Sequence, residues 1–292
     1  MRKICFLSAS FWLLIVLAGN AYAARIGILS ALPQELKYVK QETKELKTRS
    51  IGRSDFFTGR IGEISVVLTL SGMGKVNAAV AAQRLISEFS VRAILFTGVA
   101  GGIDDSFEIG DVVLGKEAFQ HDFGFLGQTF KIHRPGALPE IGIGTGDEKK
   151  EYDLTKWPVM ESGEQFFTFL QKRIQGMRPS FEKVKVDNIE YAPKFGVGVI
   201  ATGDQFISQD AKNQELWNLG ADLVEMEGAS VAQVAYENDM PCLILRSISD
   251  KAGHEASIDF STFFEKVAKN NAGIVTDLLR DEAVSSYFRN LN

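Results

Sequence analysis

Short runs of consecutive apolar residues alternate along this chain with segments whose apolar positions recur at helical spacing. Residues 24–30 (ARIGILS) are one such run, and Pro33-Gln34-Glu35-Leu36 then reads as a helix start with proline near its first position. Asp55–Gly59 and Ile64–Leu70 flank Arg60-Ile61-Gly62-Glu63 and predict a hairpin. Ser71-Gly72-Met73-Gly74-Lys75 opens a helix with Val76, Ala79, Val80 and Leu85 on its apolar face. Buried-type strands are expected at Val91–Thr97, Asp111–Leu114 and Phe195–Ala201, with His121-Asp122 carried between the last two by residues 117–123. A helix is expected over Asp210–Leu219. Strands Asp222–Met226 and Pro241–Ile248 then enclose a helix, Gly228–Tyr236, and a final helix starts at Asp259. Strands interleaved with helices predict one α/β domain on a mixed, mostly parallel sheet.

Residues 124–194 carry little pattern and are read as an elaborated insertion within that domain. Within it, residues 141–146 are glycine-rich but lack the flanking strand and helix of a dinucleotide fingerprint, so they read as loop. Residues 147–153 are a mixed charge run expected on a solvated face, and Glu164–Ile174 is expected as a helix.

The first 23 residues read as an export signal. Arg2 and Lys3 precede an apolar run from Ile4 to Ala18, and Ala21-Tyr22-Ala23 supplies the small-x-small cleavage pattern. The expectation is a periplasmic or secreted chain beginning near Ala24, with no membrane partner after cleavage. Losing Arg2 and Lys3 takes the net charge from −5 to −7, which argues against nucleic acid and anionic membranes. Cys5 leaves with the signal, so Cys242 is the sole remaining thiol and an intramolecular disulfide is excluded.

The chemistry available narrows quickly. The three histidines, His121, His133 and His254, show no metal-ligand spacing, and one cysteine cannot build a zinc site. There is no G-x-S-x-G elbow. No metal and no organic cofactor are therefore expected. Carboxylates remain, and several stand at expected strand ends: Glu35 after the first strand, Glu225 and Glu227 around Met226, and Asp250 after the last. In open α/β sheets ligands bind beyond the carboxyl ends of the strands. Arg246, inside an apolar strand, needs an acidic partner. Taken alone, Glu35 reads more simply as a first-turn glutamate complementing the helix dipole. The glycines of Gly98-Val99-Ala100-Gly101-Gly102 fit either a tight turn or a backbone that approaches a ligand closely. The Gly72–Lys75 loop is not a P-loop; its N–H groups can hold an anion, but a plain tight connection is the simpler reading. Paired carboxylates suit glycosidic-bond cleavage, which needs an acid at the leaving group and a base on water.

The segments IGILSALPQE (26–35), TGRIGEISVVLTLSGMGKVNAA (58–79), ILFTGVAGG (94–102) and IGDVVLGKEAFQHD (109–122) carry a resemblance, as do ATGDQFI (201–207), VEMEGASVAQVA (224–235) and RSISDKA (246–252). Together they resemble the nucleoside phosphorylase/nucleosidase superfamily, most closely its 5′-methylthioadenosine/S-adenosylhomocysteine nucleosidases. The resemblance implies a three-layer α/β fold, a purine nucleoside as small-molecule partner, and a homodimer. It implies that Asp250 protonates N7 of the departing purine with Ser249 orienting it, and that Glu227 holds the ribose hydroxyls with Met226 against the sugar. Glu35 would activate water with Arg246 nearby, and Glu225 joins the substrate contacts. Phe206 and Ile207 would contact the base, and Leu32, Met73 and Phe260 would wall the sugar and 5′-substituent. Val99 stands where these nucleosidases usually place serine. The alternatives are a phosphate-dependent phosphorylase and a non-catalytic nucleoside-binding or storage protein. SALPQELK after the first strand has no arginine for phosphate, which favours water.

Overall fold

The computed structural model describes residues 25–142, 157–158, 164–177, 181–186 and 189–289. The expected signal segment, the 147–153 charge run and most of the 141–146 glycine-rich stretch lie outside the described residues.

Among the described residues, fourteen strands and seven α-helices follow one another as β1 (Arg25–Ser30), α1 (Pro33–Gln41), β2 (Lys44–Ile51), β3 (Ser54–Ile61), β4 (Ile64–Leu70), α2 (Lys75–Phe89) and β5 (Ala93–Gly102). Then come β6 (Val112–Gln120), β7 (Gly124–Leu126), β8 (Phe130–Ile132), β9 (Trp157–Pro158), α3 (Glu164–Gly176), β10 (Val184–Val186), β11 (Ile189–Tyr191) and β12 (Phe195–Thr202). The chain closes with α4 (Asp210–Asn218), β13 (Leu223–Glu225), α5 (Gly228–Glu237), β14 (Cys242–Asp250), α6 (Ala256–Arg280) and α7 (Glu282–Arg289).

The main sheet runs β13-β12-β6-β14-β5-β1-β4-β3-β2. It is mixed: β1 lies parallel to β4 and β5, β5 to β14, and β12 to both β6 and β13, while β14 and β6 are antiparallel. The sheet is not open, as the strand-end argument assumed. The far end of β5 pairs antiparallel with β13, Leu223 opposite Gly102 and Val224 opposite Gly101. That pairing closes β13, β12, β6, β14 and β5 into a ring and draws their ends around one space. No helix among the described residues is long and apolar enough to cross a membrane.

Two cores sandwich the sheet. Ala78, Ala82 and Leu85 of α2 meet Val231, Ala232 and Ala235 of α5 on one side. Leu36 and Val39 of α1 meet Ile274, Val275 and Leu278 of α6 on the other. Every residue of β5 and β14 is buried, as expected of parallel strands covered on both faces.

The differences from expectation include α7, which follows the helix expected to be the last, and three in the main sheet. β5 continues straight through Gly98–Gly102, so these glycines are strand and not turn. Residues 112–120 form one strand where two pieces were expected. β2 was not expected at all: KELKTRSI is almost wholly exposed at the sheet edge, and its charges suit an unpaired outer edge more than they advertise a strand.

Candidate active site

The ring of strand ends surrounds one cavity that opens to solvent. Ala31 and Leu32 reach it from the end of β1, and Val99, Ala100 and Gly101 from β5. Val224 and Glu225 come from β13, Met226 and Glu227 from the turn into α5, Ser249 and Asp250 from β14, and Gln205, Phe206 and Ile207 from the loop after β12. Met73, before α2, and Phe260, on α6, complete the wall beside Glu35 of α1. Twelve of the thirteen expected site residues therefore meet at one cavity. Arg246 is the exception. It lies behind the wall, 1% exposed, with its guanidinium 3.9 Å from the ring centre of Phe96.

Pairing of β5 with β14 explains the glycine-rich run. Arg246 stands opposite Gly98, and Asp250 is paired with Gly101. A Cβ on Gly98 would lie 2.3 Å from Nη1 of Arg246 and 2.6 Å from Oε1 of Glu35; one on Gly101 would lie 2.8 Å from Oδ1 of Asp250. The missing side chains are room for charged neighbours. Gly98→Ala is therefore expected to destabilise the fold by about 1–3 kcal/mol, as overpacking does, and to displace both Glu35 and Arg246. Urea unfolding and turnover measured together check this; an active variant of native stability would contradict it.

Glu35 sits at the third position of α1, so both readings of it hold at once: it caps the helix and faces the cavity. Its Oε2 accepts the N–H groups of Ala31 and Leu32 at 2.9 and 2.8 Å, and its Oε1 accepts that of Val99 at 3.0 Å. Burial nevertheless raises its pKa, with Arg246 and those three N–H groups opposing. Desolvation outweighs both the arginine and the backbone donors.

Arg246 is shared by acids. It pairs directly with Glu225 and lies 3.7 Å from Glu227. Glu225 faces the cavity, yet its carboxylate is occupied elsewhere: Thr202 donates to it, and the Gly228 N–H at the start of α5 reaches both oxygens at 2.8 Å. Glu225 is thus an anchor for Arg246 and for α5. Its oxygens are not free for a substrate. Glu227 keeps one oxygen on the Gly74 N–H at 2.9 Å, and burial and the neighbouring Glu225 push its pKa up, against Arg246.

Asp250 accepts the Ala252 N–H at 2.9 Å on Oδ1 and the Ser249 hydroxyl at 2.8 Å on Oδ2. Burial raises its pKa from 3.8 to about 6 despite those two donors. Among the described residues no cation pairs with it directly. An acid in that state holds a proton close to neutral pH and can give it up to a nitrogen base.

The apolar wall is open to solvent on one side. Met73 and Phe206 are about half exposed, and Phe206 meets Phe260 edge-on at 5.7 Å. Gln205 is the one polar lining residue that sequence reasoning missed, although it lies within TGDQFI. Thr202, in the same segment, was missed as the hydroxyl that ties Glu225 to the Ala229 N–H.

The sequence profile of the phosphorylase superfamily matches residues 25–280, and the chain belongs to that superfamily. Among its relatives is the 5′-methylthioadenosine/S-adenosylhomocysteine nucleosidase of Mycobacterium tuberculosis (strain CDC 1551 / Oshkosh). It is 33% identical over 259 residues, which span 88% of this chain and 97% of that protein. Two solved structures are also similar. The 5′-methylthioadenosine/S-adenosylhomocysteine nucleosidase of Neisseria meningitidis in complex with methylthio-immucillin-A has a TM-score of 0.70 at 27% identity, over 88% of this chain and 98% of that one. Futalosine hydrolase of Helicobacter pylori strain 26695 has a TM-score of 0.68 at 27% identity, over 87% and 96%.

Proposed function

We propose that the protein is an N-ribosyl hydrolase that cleaves the glycosidic bond of adenine nucleosides of the 5′-methylthioadenosine/S-adenosylhomocysteine type, releasing adenine and a ribose derivative. The observation that carries this reading is the sign of the cavity. Among the described residues Glu35, Glu225, Glu227 and Asp250 line it and no lysine or arginine does, and Arg246 is held by Glu225 behind the wall. Such a space repels phosphate and admits water.

Each acid has a part that its surroundings suit. Asp250, protonated, donates to N7 as the C1′–N9 bond breaks, so the base leaves neutral. Ser249 fixes the carboxyl's orientation through its hydroxyl. Glu35 takes a proton from the water whose oxygen bonds to C1′ on the opposite face. Glu227 accepts from the 2′- and 3′-hydroxyls with the oxygen that lies 3.7 Å from Arg246, the other being tied to Gly74. Phe206 and Ile207 meet the base, and Met226, Met73, Leu32 and Phe260 enclose the sugar and its 5′-group. Arg246 acts from behind, opposing by attraction the rise in pKa that burial imposes on Glu35 and Glu227. An aspartate at N7 also accepts from a 6-amino group, which favours adenine over hypoxanthine bases.

A homodimer belongs to the same proposal. Val76 and Val80 of α2, with Met73 just before it, form an exposed apolar stripe, a surface of the kind that subunits cover. Export is the remaining part, supported by the basic start, apolar run and Ala-Tyr-Ala of residues 1–23.

Methylthioadenosine, S-adenosylhomocysteine, adenosine and inosine, assayed for free base with and without phosphate, test the reading. Adenine release from the first two at equal rates in both buffers is expected, with inosine poor. Strict dependence on phosphate would establish a phosphorylase instead, and tight binding without turnover a storage protein.

A further inference from the structure

A second charged cluster lies just outside the cavity and has no part in the chemistry above. Lys75, the first residue of α2, directs its ammonium to Asp122, in an ion pair with the two side chains only 16% and 23% exposed. Asp122 accepts the Asp204 N–H on its other oxygen at 2.9 Å. Asp204 in turn accepts the Lys75 N–H at 2.9 Å, with the Lys75 ammonium 3.8 Å from its second oxygen. The three residues come from three elements and close a ring of contacts.

What they join is informative. Asp204 begins the loop that carries Gln205, Phe206 and Ile207 to the base end of the cavity. One residue before Lys75, the Gly74 N–H holds Glu227 at the sugar end. Consecutive N–H groups of one helix start therefore grip the sugar-side acid and the base-side loop. The Gly72–Lys75 loop does bind anions through its backbone, and those anions are the protein's own carboxylates. The buried ring of His121 presses on the same loop, where a Cβ on Gly203 would fall 2.2 Å from Nε2.

We infer that Lys75, with Asp122 and Asp204, is a positioning clasp that sets the spacing between the base-binding loop and the ribose-binding Glu227. This rests on the hydrolase reading. A ligand that spans both ends needs that spacing, whereas free adenine needs only the loop. The clasp touches neither reacting atom, so it governs binding of the whole nucleoside more than the bond-breaking step.

Lys75→Met is expected to raise KM for methylthioadenosine about tenfold with kcat within about threefold of wild type, the pattern of lost uniform binding. Inhibition by free adenine should shift by less than about twofold, and Lys75→Arg should recover most of the lost affinity. Unchanged KM, or an equal weakening of adenine and nucleoside, would overturn the clasp, the latter because it marks simple loss of loop structure. Should Lys75→Met fail to fold, Asp122→Asn carries the same comparison, with the same direction expected and the same overturning result. An active wild type with insensitive variants removes only the clasp. A wild type that releases no adenine removes the hydrolase reading and this inference with it.

Discussion

Asp250→Asn is expected to lower kcat by about 10²–10⁴, the range typical of losing a general acid, while making the folded protein more stable. The two effects have one cause. Burial lifts the Asp250 pKa from 3.8 to about 6, so the native state resists the ionisation that the unfolded chain undergoes freely. Below about pH 4 both states are protonated and the burial costs nothing. Between about pH 4 and 6 the unfolded state ionises first and stability falls; above pH 6 the whole cost, up to about 3 kcal/mol, is in place. An asparagine escapes it. Its amide oxygen still accepts the Ala252 N–H, and the Ser249 hydroxyl can turn to the Ala100 carbonyl 3.3 Å away. Urea unfolding at pH 4 and at pH 7.5 should therefore show a variant that gains on wild type only at the higher pH. Equal stability at both, or full activity in either, would contradict the role given to Asp250.

Glu35→Gln is the second large effect, with kcat again falling by about 10²–10⁴, but here the relief of a buried charge is offset by a lost backbone hydrogen bond. The two carboxylate oxygens of Glu35 accept three backbone N–H groups, from Ala31, Leu32 and Val99. Glutamine offers one acceptor oxygen, so at least one buried N–H loses its partner, at about 1–3 kcal/mol. The pH profile separates the two acids. Glu35 works ionised and its pKa is raised, so kcat/KM falls as the pH drops and the base takes up a proton. Asp250 works protonated, so kcat/KM also falls as the pH rises through about 6. The residual activity of Glu35→Gln should lose the acid limb alone, and that of Asp250→Asn the alkaline limb alone. Both limbs surviving in either variant would assign them to other groups.

Much of this site was legible before the fold was known, for a physical reason. Acids that end apolar runs, at Glu35, Glu227 and Asp250, stand out because the surrounding pattern demands burial, and burial makes a charge expensive unless it is used. The glycines of β5 were visible but ambiguous. Only the pairing of Gly98 with Arg246, and of Gly101 with Asp250, shows that they make room for charge. Arg246 was seen to need an acid, but which acid depends on the ring closed by β5 and β13, a long-range pairing no local pattern encodes. The Lys75–Asp122–Asp204 clasp was out of reach for the same reason, its members being 47 and 82 residues apart in sequence. β2 escaped notice because a charged edge strand lacks the alternation that marks a half-buried one.

A nucleoside carrying C–H in place of N7 cannot take a proton there, so 5′-methylthio-7-deazaadenosine should bind and survive. A crystal structure of the wild-type protein soaked with it would show whether one ligand spans the three acids. Position 7 of the base is expected within hydrogen-bonding range of the Asp250 carboxyl, the ribose hydroxyls on Glu227, and a water between Glu35 and C1′. A ligand bound elsewhere, or one whose sugar turns away from Glu35, would contradict the account.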